Sequence, residues 1–281
     1  MIDETVAEIQ EMRSHSSSVV AVKAATALRE LHDREYVSVD EFDRDLERNA
    51  GALRRANPSH ASLHNAMRSI TEATLGETDT PEDGKELLEE AITETVDQIE
   101  SGKRRAAAHA AELLDDGETI LTHDYSSTVL EAVEAACSNG THLEAYVTEA
   151  RPRYLGRKTA RTLAGIDRIE PHLIVDSAAG HCLSECDRVM IGMDCIVEGT
   201  LYNRIGTYPI AATAAREDVP VTVVGSSTKV IDEFRFENEF RPSSEVMREP
   251  VEGIEIENPA YDATPTELVD VLVTDEGVQE L

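Results

Sequence analysis

From residue 115 onward the chain alternates short apolar runs with amphipathic stretches, and that alternation restricts its fold more than any other feature. The runs at 119–123, 143–148, 172–176, 188–192 and 219–225 each have the length of a strand buried on both faces. Helix-length segments separate them. Repetition of strand, crossover and strand builds a parallel sheet covered by helices on both sides, because such crossovers are right-handed and far too long for hairpins. A sixth run, 268–274, follows a polar segment, 232–266, in which Pro242, Pro250, Pro259 and Pro265 argue against long helices.

Residues 1–105 carry a different pattern. Val6, Ile9 and Met12, then Val20, Leu28 and Leu31, then Phe42, Leu46 and Leu53 recur at helical spacing, with Asp40 the expected N-cap of the third stretch. Asn57-Pro58 breaks the pattern, 62–75 resumes it, and a long helix is expected from Lys85 towards Leu114. The expectation is an α/β protein in two domains. An all-α domain, 1–105, precedes a Rossmann-like, doubly wound parallel sheet, 106–281, with the hinge inside the long helix.

The densest chemistry lies in DRVMIGMDCIVEGTLYNRIGT, residues 187–207. A buried-strand burst ends at Asp194, and Gly199, Asn203 and Gly206 punctuate what reads as a polar turn before a helix at Thr207. Ligands of open α/β sheets bind outside the carboxyl ends of the strands. The other strand ends are also polar: Asp124 to Ser127, Glu149 with Arg151 and Arg153, Ser177, and Ser226 to Lys229. Converging on one rim, they would make a pocket with two or three cations, suited to a phosphorylated ligand. Taken singly, such residues more often cap helices and satisfy turns.

Charge excludes several functions. Asp and Glu number 56 against 26 Lys and Arg, a net charge of −30 spread along the whole chain. This reads as a solvated acidic surface suited to a salt-rich cytoplasm. It leaves no basic face for direct nucleic-acid binding. No apolar run of about 18 residues suggests a membrane span, and the acidic amphipathic start is unlike a signal peptide. Four cysteines do not make a disulfide framework. His181, Cys182, Cys186 and Cys195 lack zinc-ribbon spacing, so no metal is expected. With neither a P-loop nor a G-x-G-x-x-G motif, no cofactor is expected.

The 187–207 run, together with VTEARPRYLGRKTARTLA (147–164) and YDATPTELVDVLVTDEGV (261–278), resembles one superfamily. Its members include ribose-1,5-bisphosphate isomerase, methylthioribose-1-phosphate isomerase and the alpha, beta and delta subunits of translation initiation factor 2B. The resemblance covers nearly the whole chain. It implies dimerisation through the second domain. It also implies that Arg151, Asp194, Asn203 and Lys229 occupy positions that contact sugar phosphate in the isomerases, with Arg204 in place of the usual Lys. Arg153 and Ser126 complete the candidate ligand set on that rim.

Two departures favour the factor subunits. The isomerases pair the Asp of the Gly-x-Asp motif with a Cys after the first strand of the second domain. This chain has Asp124 there, in ILTHDYSS. The isomerases' phosphate-contacting Arg-Gly-Ala turn is replaced by SHSSSVV (14–20), which puts His15 among the candidate ligand contacts. ASLHNAMRSI (61–70) also looks like its counterpart in the factor subunits. The leading expectation is therefore a regulatory, factor-2B-like protein that binds a sugar phosphate or nucleoside monophosphate and contacts a translation-factor subunit. The alternative is a ribose-1,5-bisphosphate isomerase in which Asp194 and Asp124 move the protons, since two facing carboxyls can act as acid and base.

Overall fold

The computed structural model describes residues 1–10, 17–58, 60–231, 235–249 and 251–281. His15 lies outside the described residues. The chain divides into two compact units, Met1–Gly102 and Lys103–Leu281.

The first unit is helical: α1 (Ile2–Gln10), α2 (Ser17–Ala27), α3 (Val39–Ala56), α4 (Ala61–Thr74) and the start of α5 (Pro81–Ala111). Phe42, Leu46, Ala50 and Leu53 form the buried stripe of α3, and Leu63, Met67 and Ile70 that of α4. Ala21, Ala24 and Ala25 of α2 are buried where it packs on α4, small side chains that let the two backbones approach closely. The α3 cap is Ser38 and not Asp40: its hydroxyl accepts from the Glu41 amide, while the Glu41 carboxylate accepts from the Val37 amide. Asp40 falls within the first turn, where its charge favours the positive end of the helix. No helix among the described residues is long and apolar enough to cross a membrane.

In the second unit the strands run β1 (Glu118–Thr122), β2 (Leu143–Thr148), β3 (Ile169–Ile174), β4 (Arg188–Gly192), β5 (Cys195–Val197), β6 (Thr200–Arg204), β7 (Val221–Val224), β8 (Val230–Ile231), β9 (Tyr261–Pro265), β10 (Val271–Thr274) and β11 (Gly277–Glu280). Between them lie α6 (Ser127–Ser138), α7 (Gly156–Leu163), α8 (Ala179–Cys182), α9 (Thr207–Arg216) and α10 (Ser243–Val246). The main sheet has seven strands in the order β11-β10-β7-β4-β1-β2-β3, parallel except for the antiparallel edge β11. Its inner strands alternate between two apolar layers. Ile120, Met190, Val224 and Val273 face the cluster under α6 and α7, whereas Leu121, Ile191, Val223 and Leu272 face the one under α8 and α9. Burial on both faces is why these strands read as unbroken apolar runs.

The strand expected at 172–176 begins earlier, at Ile169, and includes Pro171. An edge strand tolerates proline because one side of its backbone has no ladder to fill. The polar turn expected after Asp194 is a hairpin instead. β5 and β6 pair antiparallel around Glu198-Gly199, and with β8 and β9 they form a separate four-stranded sheet, β8-β5-β6-β9. Strands this short, with polar residues among them, carry almost no periodic signal.

Candidate functional site

Strand order locates the site. β1 pairs with β2 on one side and β4 on the other, so the chain reverses its winding between β1 and β4 and leaves a crevice outside their carboxyl ends. Asp124 follows β1 and Asp194 follows β4. Asp124 takes a left-handed backbone (φ 60°), which Asp tolerates better than most residues. The turn is pinned by the Tyr125 amide donating to the Asp124 carboxylate (2.7 Å) and by the Thr159 hydroxyl donating to the Asp124 carbonyl (2.6 Å). The Asp194 amide donates to the Tyr202 carbonyl, tying that residue to the hairpin.

Arg204, at the end of β6, joins the two. Its Nε lies 3.4 Å from Asp194 Oδ2 and 4.0 Å from Asp124 Oδ2, and all three side chains are about nine-tenths buried. Burial works against the Arg204 charge, but Asp194, Tyr261 and Asp124 outweigh it and raise its pKa above the ordinary guanidinium value. The guanidinium also lies over the Tyr261 ring, 4.9 Å from its centroid. Buried Arg204 Nη1, Arg241 Nη2 and the Tyr261 hydroxyl have no hydrogen-bond partner among the described residues. Buried polar groups are normally satisfied, so donors left over at a crevice point to a polar ligand.

Lys229 is buried beside this centre, its ammonium donating to the Met193 carbonyl (2.8 Å). Burial pushes its pKa below the usual lysine value, with Asp194 and Cys195 opposing. Asn203 is buried and donates to the Thr207 hydroxyl, which donates in turn to the Arg204 carbonyl. It braces the turn into α9. Ser126 caps α6, its hydroxyl accepting from the Val129 amide, so the ordinary structural role already occupies it. Arg151 and Arg153 line a pocket of about 480 Å³ formed with Tyr154, Ser244, Glu245 and Arg248. At Arg153, burial, with Arg241 and Arg204, lowers the pKa while Glu245 and Asp124 oppose.

Several residues at this end escape a reading of the sequence. His123 is buried, with Nε2 2.8 Å from the Ile205 carbonyl and Nδ1 2.6 Å from the Thr148 hydroxyl. A carbonyl accepts only, so Nε2 carries a proton and the ring ties β1, β2 and the β6–α9 turn together. Gly206, at φ 109°, leaves room for that ring: a Cβ there would lie 2.7 Å from it. Asp262 of β9 caps α9, accepting from the amides of Gly206 and Tyr208. Arg241, Glu239 and Arg248 come from the irregular segment after β8. The only sequence signal for them was arginine recurring in an acidic stretch. Cys182 and Cys186 are buried one turn apart, the Cys186 thiol donating to the Cys182 carbonyl, and burial pushes its pKa up to about 12.

Comparison with known proteins adds a second line of observation. A model of the initiation factor 2 subunit family matches residues 13–280. Ribose 1,5-bisphosphate isomerase of Haloferax volcanii is 31% identical, the match covering 97% of this chain and 87% of the relative. Methylthioribose-1-phosphate isomerase of Thermotoga neapolitana is 30% identical over 98% of this chain and 85% of its own. The crystal structure of Pyrococcus horikoshii translation initiation factor eIF-2B matches with a TM-score of 0.84 at 27% identity, covering 99% of this chain and 96% of that one.

Proposed function

This chain belongs to the initiation factor 2 subunit family, and from that premise we propose that its second unit is a sugar-phosphate isomerase. The reaction is ribose 1,5-bisphosphate to ribulose 1,5-bisphosphate. The observation that carries the reading is the buried Asp124–Arg204–Asp194 cluster at the crevice between β1 and β4, with donors of Arg204 and Arg241 left unengaged. Relatives that carry the ribose 1,5-bisphosphate isomerase name match almost the full chain and support the same substrate.

The chemistry needs two proton-transfer groups and one site for developing negative charge. One carboxylate removes the proton from C2 while the other carboxyl protonates the ring oxygen as it leaves C1, which yields the C1–C2 enol. Transfer of the enol proton away from the C2 oxygen and delivery of a proton to C1 then give the ketone. Asp124 and Asp194 supply the two groups, and the Arg204 guanidinium stabilises the oxygen at C2 as charge builds there. Lys229 and Asn203 shape the floor of the site, and Arg151 and Arg153 meet phosphate. The protein works as a dimer joined through this unit.

The test is conversion of ribose 1,5-bisphosphate followed in molar potassium chloride. Wild-type protein should turn over, and Asp194→Asn should lose about 10²–10⁴-fold in kcat, the usual effect of removing a positioned acid or base. Turnover indifferent to Asp194→Asn would sink the assignment.

One observation favours a second reading. Asp124 stands where the resembling isomerases carry a thiol, and it is already engaged with Arg204 at 4.0 Å. A folded protein that binds the bisphosphate without converting it would be a regulatory, factor-2B-like protein, and capture of a translation-factor subunit at high salt would then be its test.

A further inference from the structure

The fold accounts for every part of Tyr261 except its hydroxyl. Tyr261 opens β9 and stands opposite Arg204 in the β6–β9 register. One side chain brackets its backbone: the Tyr261 amide donates to Asn238 Oδ1 (3.2 Å), and Asn238 Nδ2 donates to the Tyr261 carbonyl (2.9 Å). The ring is held as firmly. Phe236 meets it edge-on at 5.3 Å between centroids and itself stacks on Tyr202 at 4.0 Å, while the Arg204 guanidinium lies over the ring, 4.9 Å from its centroid. The residue is 2% exposed, yet its hydroxyl has no hydrogen-bond partner among the described residues. A buried phenol normally finds one, and leaving it unmet works against folding.

We propose that the Tyr261 hydroxyl is a ligand contact, donating a hydrogen bond to the sugar oxygen that Arg204 Nη1 also meets. That this oxygen is the one at C2 rests on the isomerase reading, whereas donation to a ligand oxygen does not. Two donors are left over on the facing pair Arg204 and Tyr261, one charged and one neutral. A carbonyl or enolate oxygen has lone pairs enough to accept from both, and a ligand cation would satisfy neither. The charges of Arg204, Asp194, Glu239 and Arg241 all act on the hydroxyl. Burial raises its pKa above the ordinary tyrosine value, with Arg204 opposing, so at neutral pH it is protonated and able to donate. Backbone and ring are already fixed, so the donor needs no reorganisation as charge develops on the oxygen. Under that condition a donor speeds a reaction more than it tightens substrate binding. The competing acceptor within the protein is Glu239 Oε2, which is also unpartnered among the described residues.

Tyr261→Phe removes the hydroxyl and keeps the ring. A hydroxyl satisfied inside the protein, by Glu239 or otherwise, would lower stability when lost and leave the kinetics alone. A ligand donor should do the reverse. Urea unfolding of the ligand-free variant in molar potassium chloride should give a midpoint at or above that of the wild type. With ribose 1,5-bisphosphate, kcat should fall about 10²-fold with little change in KM, the usual effect of losing one donor to a developing oxyanion. Wild-type kinetics in the variant overturn the contact, and so does a lower midpoint, because the hydroxyl then already has an acceptor. A loss confined to KM keeps the contact and overturns its placement at C2. If the wild type binds the bisphosphate without converting it, the isomerase reading fails and calorimetric titration decides the contact. It stands if Tyr261→Phe binds the bisphosphate more weakly, and falls if the two bind equally. A wild type that neither binds nor converts the bisphosphate overturns both.

Discussion

At the scale of single residues, the second unit keeps two carboxylates and a guanidinium nine-tenths buried at the end of its sheet. Such a cluster is not an economical way to stabilise a fold, because desolvation offsets much of the attraction. Its removal in part is another matter. Arg204→Met would leave Asp124 and Asp194 close together in a poorly solvated crevice without their shared cation. The expected cost is about 3–5 kcal/mol, the range for breaking a buried ion pair from one side. Urea unfolding in molar potassium chloride measures it, and a midpoint equal to that of the wild type would show that the two carboxylates do not depend on Arg204. The candidates Asp124 and Asp194 were legible because each stands just after a strand readable from its apolar run, whereas Arg204, at the end of a strand that had the look of a turn, was a candidate through the family resemblance alone. Tyr261, Arg241 and His123 were not, because nothing local ties them to that rim.

At the scale of elements, the loop between β2 and α7 shows how the binding end is held. Gly156 begins α7 so close to the end of β2 that a Cβ there would lie 1.7 Å from the Thr148 carbonyl oxygen. A backbone atom cannot swing aside as a flexible side chain can. Gly156→Ala must therefore push α7 away from β2, at an expected cost of about 1–3 kcal/mol or more. It should also displace Arg151 and Arg153, which sit on the loop just before α7. Paired unfolding and phosphate-titration measurements check both effects, and full stability with native phosphate affinity would contradict the tight approach. The hairpin of β5 and β6 makes the complementary point. Arg204 reaches Asp194 because β6 runs antiparallel to β5 and pairs with β9 in the register Arg204 opposite Tyr261. In the sequence those residues had the appearance of a turn.

At the scale of the whole molecule, a net charge of −30 makes self-repulsion a term in folding. Screening shortens from about 10 Å at 0.1 M salt to about 3 Å at 1 M, so the thermal midpoint should climb steeply over that interval and then level off. A midpoint that stays flat or falls as potassium chloride is added would refute the expectation. The sequence by itself determined the helical first part, the parallel sheet and the strand ends at which polar residues collect. Those features follow from periodicity and from the right-handed crossover, both of which act over short stretches of chain. Only the tertiary structure decided that Arg204 would stand between Asp124 and Asp194, that residues after β8 would return to supply Arg241 and Arg248, and that Glu245 would sit among arginines. Contacts between groups tens of residues apart depend on how the second, smaller sheet pairs, and strands of two to five residues with mixed polarity leave no pattern from which that pairing can be read.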